Sequence, residues 1–136
     1  MSARNQDRQA SKSAALLAKA RARLGEAAAA RHEAQAYEEV VRACRERVLA
    51  LREAALADEQ LARNEDNPTM SRLASLDAHR ASQQAILFES LAERHEKEIQ
   101  RLYAEARRAE AEAATARVKA HPAASLDAPG AHHDAR

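Results

Sequence analysis

The residues best able to do chemistry in this sequence are its histidines, and their spacing forms no recognisable site. The six are His32, His79, His95, His121, His132 and His133. No two of them lie four residues apart, and the H-E-x-x-H pattern of zinc proteases does not occur. The sequence therefore predicts no metal centre, and the adjacent pair His132 and His133 is expected to bind metal only adventitiously.

The remaining reactive side chain is Cys44, the single cysteine of the chain. It has no C-x-x-C partner and falls among apolar residues at helical spacing, which predicts a buried small hydrophobe rather than a nucleophile. One cysteine cannot form an internal disulfide and is typical of a reducing compartment. The only glycines are Gly25 and Gly130. Without a glycine-rich loop the sequence predicts no nucleotide site and no cofactor.

The composition limits how these residues can be positioned. Hydrophobic residues make up 46% of the 136 residues, but 37 of them are Ala. So few large side chains cannot fill a thick core, although they can line a narrow seam between two helices. Such a seam encloses no pocket, so we expect a protein that is not an enzyme. No apolar run predicts a signal peptide or membrane insertion, and we expect a cytoplasmic protein.

Charge argues against two kinds of partner. The chain has 22 basic and 21 acidic residues, a formal net charge of +1. Nucleic-acid binding and attraction to anionic lipid both depend on excess positive charge, so neither is predicted. A small basic cluster formed by Lys19, Arg21 and Arg23 is simplest to interpret as ordinary surface charge, with phosphate binding as the alternative.

The presence or absence of apolar periodicity divides the chain into segments. Residues 1–12 lack it and are predicted to be a flexible, frayed N-terminal segment. Helix 1 is predicted over about 13–63, with Ser11 or Ser13 as its N-cap. A second helix is predicted over about 70–120. The tail, 121–136, is predicted to be disordered.

The segment between the helices, 64–69, has the residues of a tight turn. Asn67 followed by Pro68 fits an N-cap and first helical residue, and Thr69 is the alternative cap. So short a link makes the helices antiparallel neighbours. The sequence therefore predicts an all-α fold, a long two-helix antiparallel coiled-coil hairpin over residues 13–120.

The predicted seam of helix 1 is a heptad repeat. Its two lines are Ala20, Ala27, Ala34, Val41, Val48, Ala55 and Ala62, and Leu16, Ala30, Tyr37, Cys44 and Leu51. Leu24, Leu49, Leu56 and Leu61 fall outside both lines. For helix 2 the seam is predicted from the large residues Leu73, Leu76, Ile86, Leu87, Phe88, Leu91, Ile99 and Leu102. Several of these lie eleven residues apart, which favours weak supercoiling.

The chain resembles the central-stalk proteins of type III export machines, the flagellar FliJ-type and injectisome YscO-type group. The resemblance covers roughly residues 13–120 and consists of small size, two long helices and the polar turn. It also includes the stretch YEEVVR at 37–42 and the Arg- and Ala-rich stretch AEARRAE at 104–110.

The resemblance implies a coupling protein at the inner-membrane export machinery. Members insert one end of the hairpin into a hexameric export ATPase, and the other end reaches toward the export gate; some bind secretion chaperones. The end near the chain termini is the inserting one, which implies a set of basic partner-binding residues here. These are Lys19, Arg21, Arg23, Arg107, Arg108, Arg117 and Lys119.

An alternative function remains open. A hairpin with a thin seam often pairs with a second copy to form a four-helix bundle, because this buries the rest of a wide apolar stripe. The four leucines outside the helix 1 seam favour this homo-oligomeric, generic coiled-coil adaptor.

Overall fold

The computed structural model describes residues 2–121, and within them the fold is an all-α helical hairpin. Helix α1 spans Ala3–Asn64 and helix α2 spans Pro68–Ala120, and no strand occurs in this part of the chain. The predicted fold class is therefore confirmed. The predicted disordered tail lies outside the described residues except for His121, which directly follows α2.

Helix α1 begins ten residues earlier than predicted, so residues 3–12 are helical rather than irregular. Ser2 supplies the N-cap, because its Oγ accepts a hydrogen bond from the Asn5 N–H at 3.3 Å. Ser11 and Ser13 are therefore not caps. The Ser13 hydroxyl instead donates to the Ala120 carbonyl at 3.2 Å. Local composition explains the longer helix, because residues 3–12 contain no Gly or Pro and several good helix formers.

The turn is shorter than predicted, because residues 65–67 alone separate the helices. The Asn67 Oδ1 accepts hydrogen bonds from the N–H groups of Thr69 at 2.9 Å and Met70 at 3.3 Å. This confirms Asn67 as the N-cap, with Pro68 as the first residue of α2, and excludes Thr69 as the cap. The Ser71 hydroxyl donates to the Ala62 carbonyl at 2.6 Å, which satisfies one of the unpaired carbonyls at the end of α1.

Two compact units make up the chain, and both helices contribute to each. The termini-side unit contains residues 2–33 and 102–121 of the described chain, and the turn-side unit contains residues 34–101. In the turn-side unit the predicted helix 1 seam is buried, Cys44 included, except that Tyr37 and Ala62 are half-buried. Val48, Leu51 and Ala55 of α1 form a cluster with Ala81 and Ala85 of α2.

The seam of α2 differs from the prediction. Its buried residues in the turn-side unit are mostly alanines, spaced alternately by four and three as far as Ala85 and by seven after it: Ala74, Ala78, Ala81, Ala85, Ala92 and Ile99. Phe88 is half-buried against the Val48 cluster. The predicted seam residues Leu73, Leu76, Ile86 and Leu87 are between 48% and 69% exposed. Of the residues eleven apart, Leu76 and Leu87 are therefore both off the seam, whereas Ile99 and Leu102 are buried. Weak supercoiling stays a prediction.

The termini-side unit has a thinner core. Ala20 of α1 packs with Ala113 and Ala116 of α2, and Leu16 and Leu24 pack against them half-buried. Leu24 was predicted to lie off the seam, and this contact corrects that prediction. Leu102 is 2% exposed, the only large side chain so fully buried in the described chain. The core is therefore narrow, and most side chains of both units lie on the surface.

Candidate protein-binding surfaces

The predicted binding residue Arg23 is engaged within the hairpin itself. Its guanidinium contacts the Glu26 carboxylate at 2.8 Å and the Glu112 carboxylate of the other helix at 2.8 Å. The hydrogen bond to Glu26, together with the charge of Glu112, raises the pKa of Arg23 above its ordinary value. Its charge is largely balanced, so Arg23 contributes little positive potential to a partner.

Arg108 lies in an acidic setting. It lines an open groove of the termini-side unit together with Arg23 and four glutamates, Glu26, Glu33, Glu105 and Glu112. Four carboxylates outweigh two guanidinium groups, so this groove carries net negative charge. Arg108 does not extend the predicted basic surface.

Lys19 and Lys119 are brought together by the fold. Both line an open groove between α1 and the last turns of α2, together with Glu112, whose carboxylate is paired with Arg23. Lys119 also lines a neighbouring groove with Lys12 and Ser13. Arg21, Arg107 and Arg117 are exposed and line neither groove. The structure thus groups two of the seven predicted residues and adds Lys12.

Three basic residues that sequence reasoning missed lie in the first turns of α1. Arg4, Arg8 and Lys12 are spaced four apart, so the helix places them along one side. The contact between Ser13 and Ala120 marks where α2 ends, and residues 3–12 of α1 extend past it as an exposed helix. Two features of the sequence could have indicated that residues 3–12 are helical, namely the capping residue Ser2 and the helix-forming composition of the segment.

We define the basic end as residues 2–21 and 113–121, where the charge is strongly one-sided. It contains seven basic residues and one acidic residue, Asp7. The basic residues are Arg4, Arg8, Lys12, Lys19, Arg21, Arg117 and Lys119. A near-neutral chain thus carries a local formal charge of +6, which attracts acidic partners over roughly one Debye length, about 8–10 Å at physiological salt.

The turn-side unit carries most of the exposed large apolar side chains. Nine of the ten that are exposed in the described residues lie between residues 34 and 101. They are Val40, Leu49, Leu56, Leu61, Met70, Leu73, Leu76, Ile86 and Leu87. Scattered apolar residues are normal on a surface, but a concentration of this kind is typical of a protein-binding surface.

Each of the two tyrosines contacts a side chain of its own unit. The Tyr37 and His95 rings lie 5.0 Å apart between centroids in the turn-side unit. In the termini-side unit the Arg31 guanidinium lies 5.8 Å from the Tyr103 ring centroid. The rings of the two tyrosines therefore contact different side chains.

No protein-family model, curated protein or solved structure matches this chain. Within residues 2–121, no group of three or more His, Cys, Asp or Glu side chains is placed to hold a metal ion. Neither helix in this range has a stretch apolar enough to cross a bilayer.

Proposed function

We propose that this protein is a non-enzymatic coupling protein that binds two protein partners through different parts of its hairpin. The form that fits its resemblance is a stalk subunit of a type III export apparatus. In that role the basic end binds the export ATPase ring, and the turn-side unit binds an export-gate subunit or a secretion chaperone. The protein works in the cytoplasm, peripheral to the inner membrane.

The observation that carries this proposal is the one-sided charge of the basic end. Arg4, Arg8 and Lys12 extend along an exposed helix, and Lys19 and Lys119 share a groove beside it. An acidic channel would complement this surface and accelerate association with it. The five side chains make no ion pair within the described residues, so their charges are available to a partner.

The turn-side unit supports a second contact of another kind. It has 13 acidic and 10 basic residues, and its exposed side chains include Leu49, Leu56 and Ile86 at 60–62% exposure. Such a surface favours apolar docking with a helical partner rather than electrostatic attraction. A protein with two such different binding surfaces suits coupling between two partners.

The test is affinity capture from a nuclease-treated lysate of the source cells with the purified full chain, read by mass spectrometry. The basic-end variant combines Lys12→Glu, Lys19→Glu and Lys119→Glu. We expect an export ATPase in the wild-type eluate, lost from the variant and weakened as salt rises. Recovery of the gate subunit or chaperone should persist in the variant.

A matched control changes three exposed basic residues of the turn-side unit to Glu, namely Arg63, Arg72 and Lys97. This control should still capture the ATPase. An ATPase that binds both variants equally would contradict the role of the basic end. A wild-type eluate without any export component would overturn the export assignment, and release of binding by nuclease would point to nucleic acid instead.

A further inference from the structure

The two faces of the turn-side unit differ in how the helices are joined. Cross-helix ion pairs span one face, Arg52 to Glu89 at 2.7 Å and Arg45 to Glu96. Arg45 and Arg52 directly follow the buried Cys44 and Leu51, and Glu89 and Glu96 directly follow the half-buried Phe88 and His95, so this bridged face is the flank that follows the seam. The opposite flank is formed by residues that directly precede the seam, and between residues 40–61 of α1 and 70–94 of α2 it has no cross-helix ion pair. We call it the open face.

On α1 the open face is a second apolar stripe. Val40 and Leu61 are 41% and 54% exposed and stand near its two ends. Exposed residues at alternating spacings of three and four connect them: Ala43, Arg47, Ala50, Ala54 and Ala57. Only one of these is charged. Alternating spacings of three and four are the period of a buried coiled-coil seam, but this stripe faces solvent.

On α2 the open face carries larger side chains. Met70, Leu73 and Leu87 are 53%, 50% and 69% exposed, and Leu91 beside them is half-buried. Asp77 and Arg94 lie on the same flank. Neither makes an ion pair or hydrogen bond within the described residues. Arg80, which precedes Ala81, lies on this flank too and also makes no ion pair or hydrogen bond within the described residues. The face therefore combines exposed apolar side chains with three unpaired charges, one negative and two positive.

We propose that a second copy of this chain packs on the open face, antiparallel, about a two-fold axis that passes between Ala50 and Leu51. Such an axis packs the α1 stripe of one copy against the α1 stripe of the other copy in the opposite direction. It brings Val40 opposite Leu61 of the partner copy, and Ala43 within one residue of the level of Ala57 of the partner copy. A two-fold interface needs a self-complementary surface, and this stripe has one because its spacing and side-chain sizes are nearly palindromic.

The charges on α2 support the same axis. Leu51 and Ala85 belong to one buried cluster, so the axis passes α2 close to Ala85. Asp77 lies eight residues before Ala85 and Arg94 nine residues after it, so the axis places Asp77 close to the partner copy's Arg94. This pairing occurs twice in the dimer. On α1, Arg47 meets Ala54 of the partner copy, so no like charges oppose each other.

The arrangement of the turns also favours the antiparallel dimer. The segment 58–66 contains Asp58, Glu59, Glu65 and Asp66 against the single basic residue Arg63. A parallel pair would bring two such acidic segments together, and like charges at close range cost free energy. The antiparallel pair separates them. This inference does not depend on the export role, and the basic end takes no part in the interface.

The first experiment measures the mass of the full chain by multi-angle light scattering across a range of concentrations. The chain mass is 14.9 kDa, so a dimer doubles that value. Leu61→Glu on the open face should give a monomer with unchanged helical circular dichroism. Leu49→Glu is the matched control, because Leu49 is similarly exposed on the bridged face and the variant should stay dimeric. Ala50→Glu, which places two carboxylates beside the axis, should also give a monomer.

Two further variants test the orientation. Asp77→Arg alone should weaken the dimer at least tenfold, and the double variant Asp77→Arg with Arg94→Asp should restore it. Under mild oxidation Ala50→Cys should form a covalent dimer and Ala57→Cys should not, because only position 50 lies at the axis. The native Cys44 is buried.

Any one of the following results would overturn the proposal. A monomeric wild-type mass at every concentration excludes a second copy as the occupant, even if a different protein binds the face. A dimer that survives Leu61→Glu and dissociates with Leu49→Glu places the interface on the bridged face. Cross-linking through position 57 but not position 50, or no rescue by the charge exchange, excludes the antiparallel register.

Discussion

Leu102 is expected to be the most costly single truncation in the hairpin. Its side chain is 2% exposed, so Leu102→Ala removes three carbon atoms from a buried position. The transfer contribution is about 0.8 kcal/mol per carbon, roughly 2.4 kcal/mol, and the cavity left behind adds to it. We expect the free energy of unfolding to fall by about 3 kcal/mol. Urea titration followed by circular dichroism at 222 nm measures this change.

Leu49→Ala is the control, because the substitution is identical and the side chain is 62% exposed. The same arithmetic gives a loss of about 1 kcal/mol at most, and the higher helix propensity of Ala offsets part of it. Both variants are measured at several protein concentrations, so that any change in self-association is seen separately. If the two variants lose stability within about 0.5 kcal/mol of each other, the seam assigned to α2 is wrong.

Three other substitutions probe the packing and the charges. Ala106 is 0% exposed on the seam, so Ala106→Leu should lower stability by about 1–3 kcal/mol through overpacking, whereas Ala111→Leu at an exposed position should change it by less than about 0.5 kcal/mol in urea titrations. Gly25→Ala should raise stability by about 0.5–1 kcal/mol in the same assay, because a Cβ at Gly25 meets nothing within 4 Å and Ala favours the helix. The hydrogen bond from Arg101 lowers the pKa of the Glu98 carboxyl, so its stabilising contribution is present at neutral pH and is lost as the pH falls through that lowered pKa; in an NMR pH titration, Arg101→Gln should raise the pKa of Glu98 back toward its ordinary value, and no change would contradict this cause.

Local signals predicted much of the fold. Asn67 and Pro68 marked the start of α2 because an amide oxygen that caps a helix and a proline that lacks an N–H both suit the first helical turn. Heptad spacing identified the buried residues of α1, Cys44 among them, because the same period governs which side faces a neighbour. The first turns of α1 were missed because apolar periodicity was the only criterion for a helix. A helix that is exposed on all sides shows no apolar periodicity.

The binding surfaces were less accessible to sequence reasoning. Lys19, Arg23 and Lys119 look alike in the sequence, yet Arg23 lies 2.8 Å from a glutamate of the other helix while the two lysines share a groove. Whether a basic residue is neutralised depends on which carboxylate the second helix brings beside it. That register is set by packing between residues far apart in the chain.

By itself the sequence determined two helices, the turn between them and the seam of α1, because these follow from local backbone preferences and from periodicity within one helix. Only the tertiary structure decided which side of α2 is buried. Both a leucine-rich and an alanine-rich line run along that helix, and size alone favours burying Leu73, Leu76 and Leu87. Val48 and Leu51 of α1 already fill the space between the helices, so the small side chains of Ala81 and Ala85 fit opposite them. The leucines are left on the surface, and two of them, Leu73 and Leu87, lie on the face where the second copy is proposed to pack.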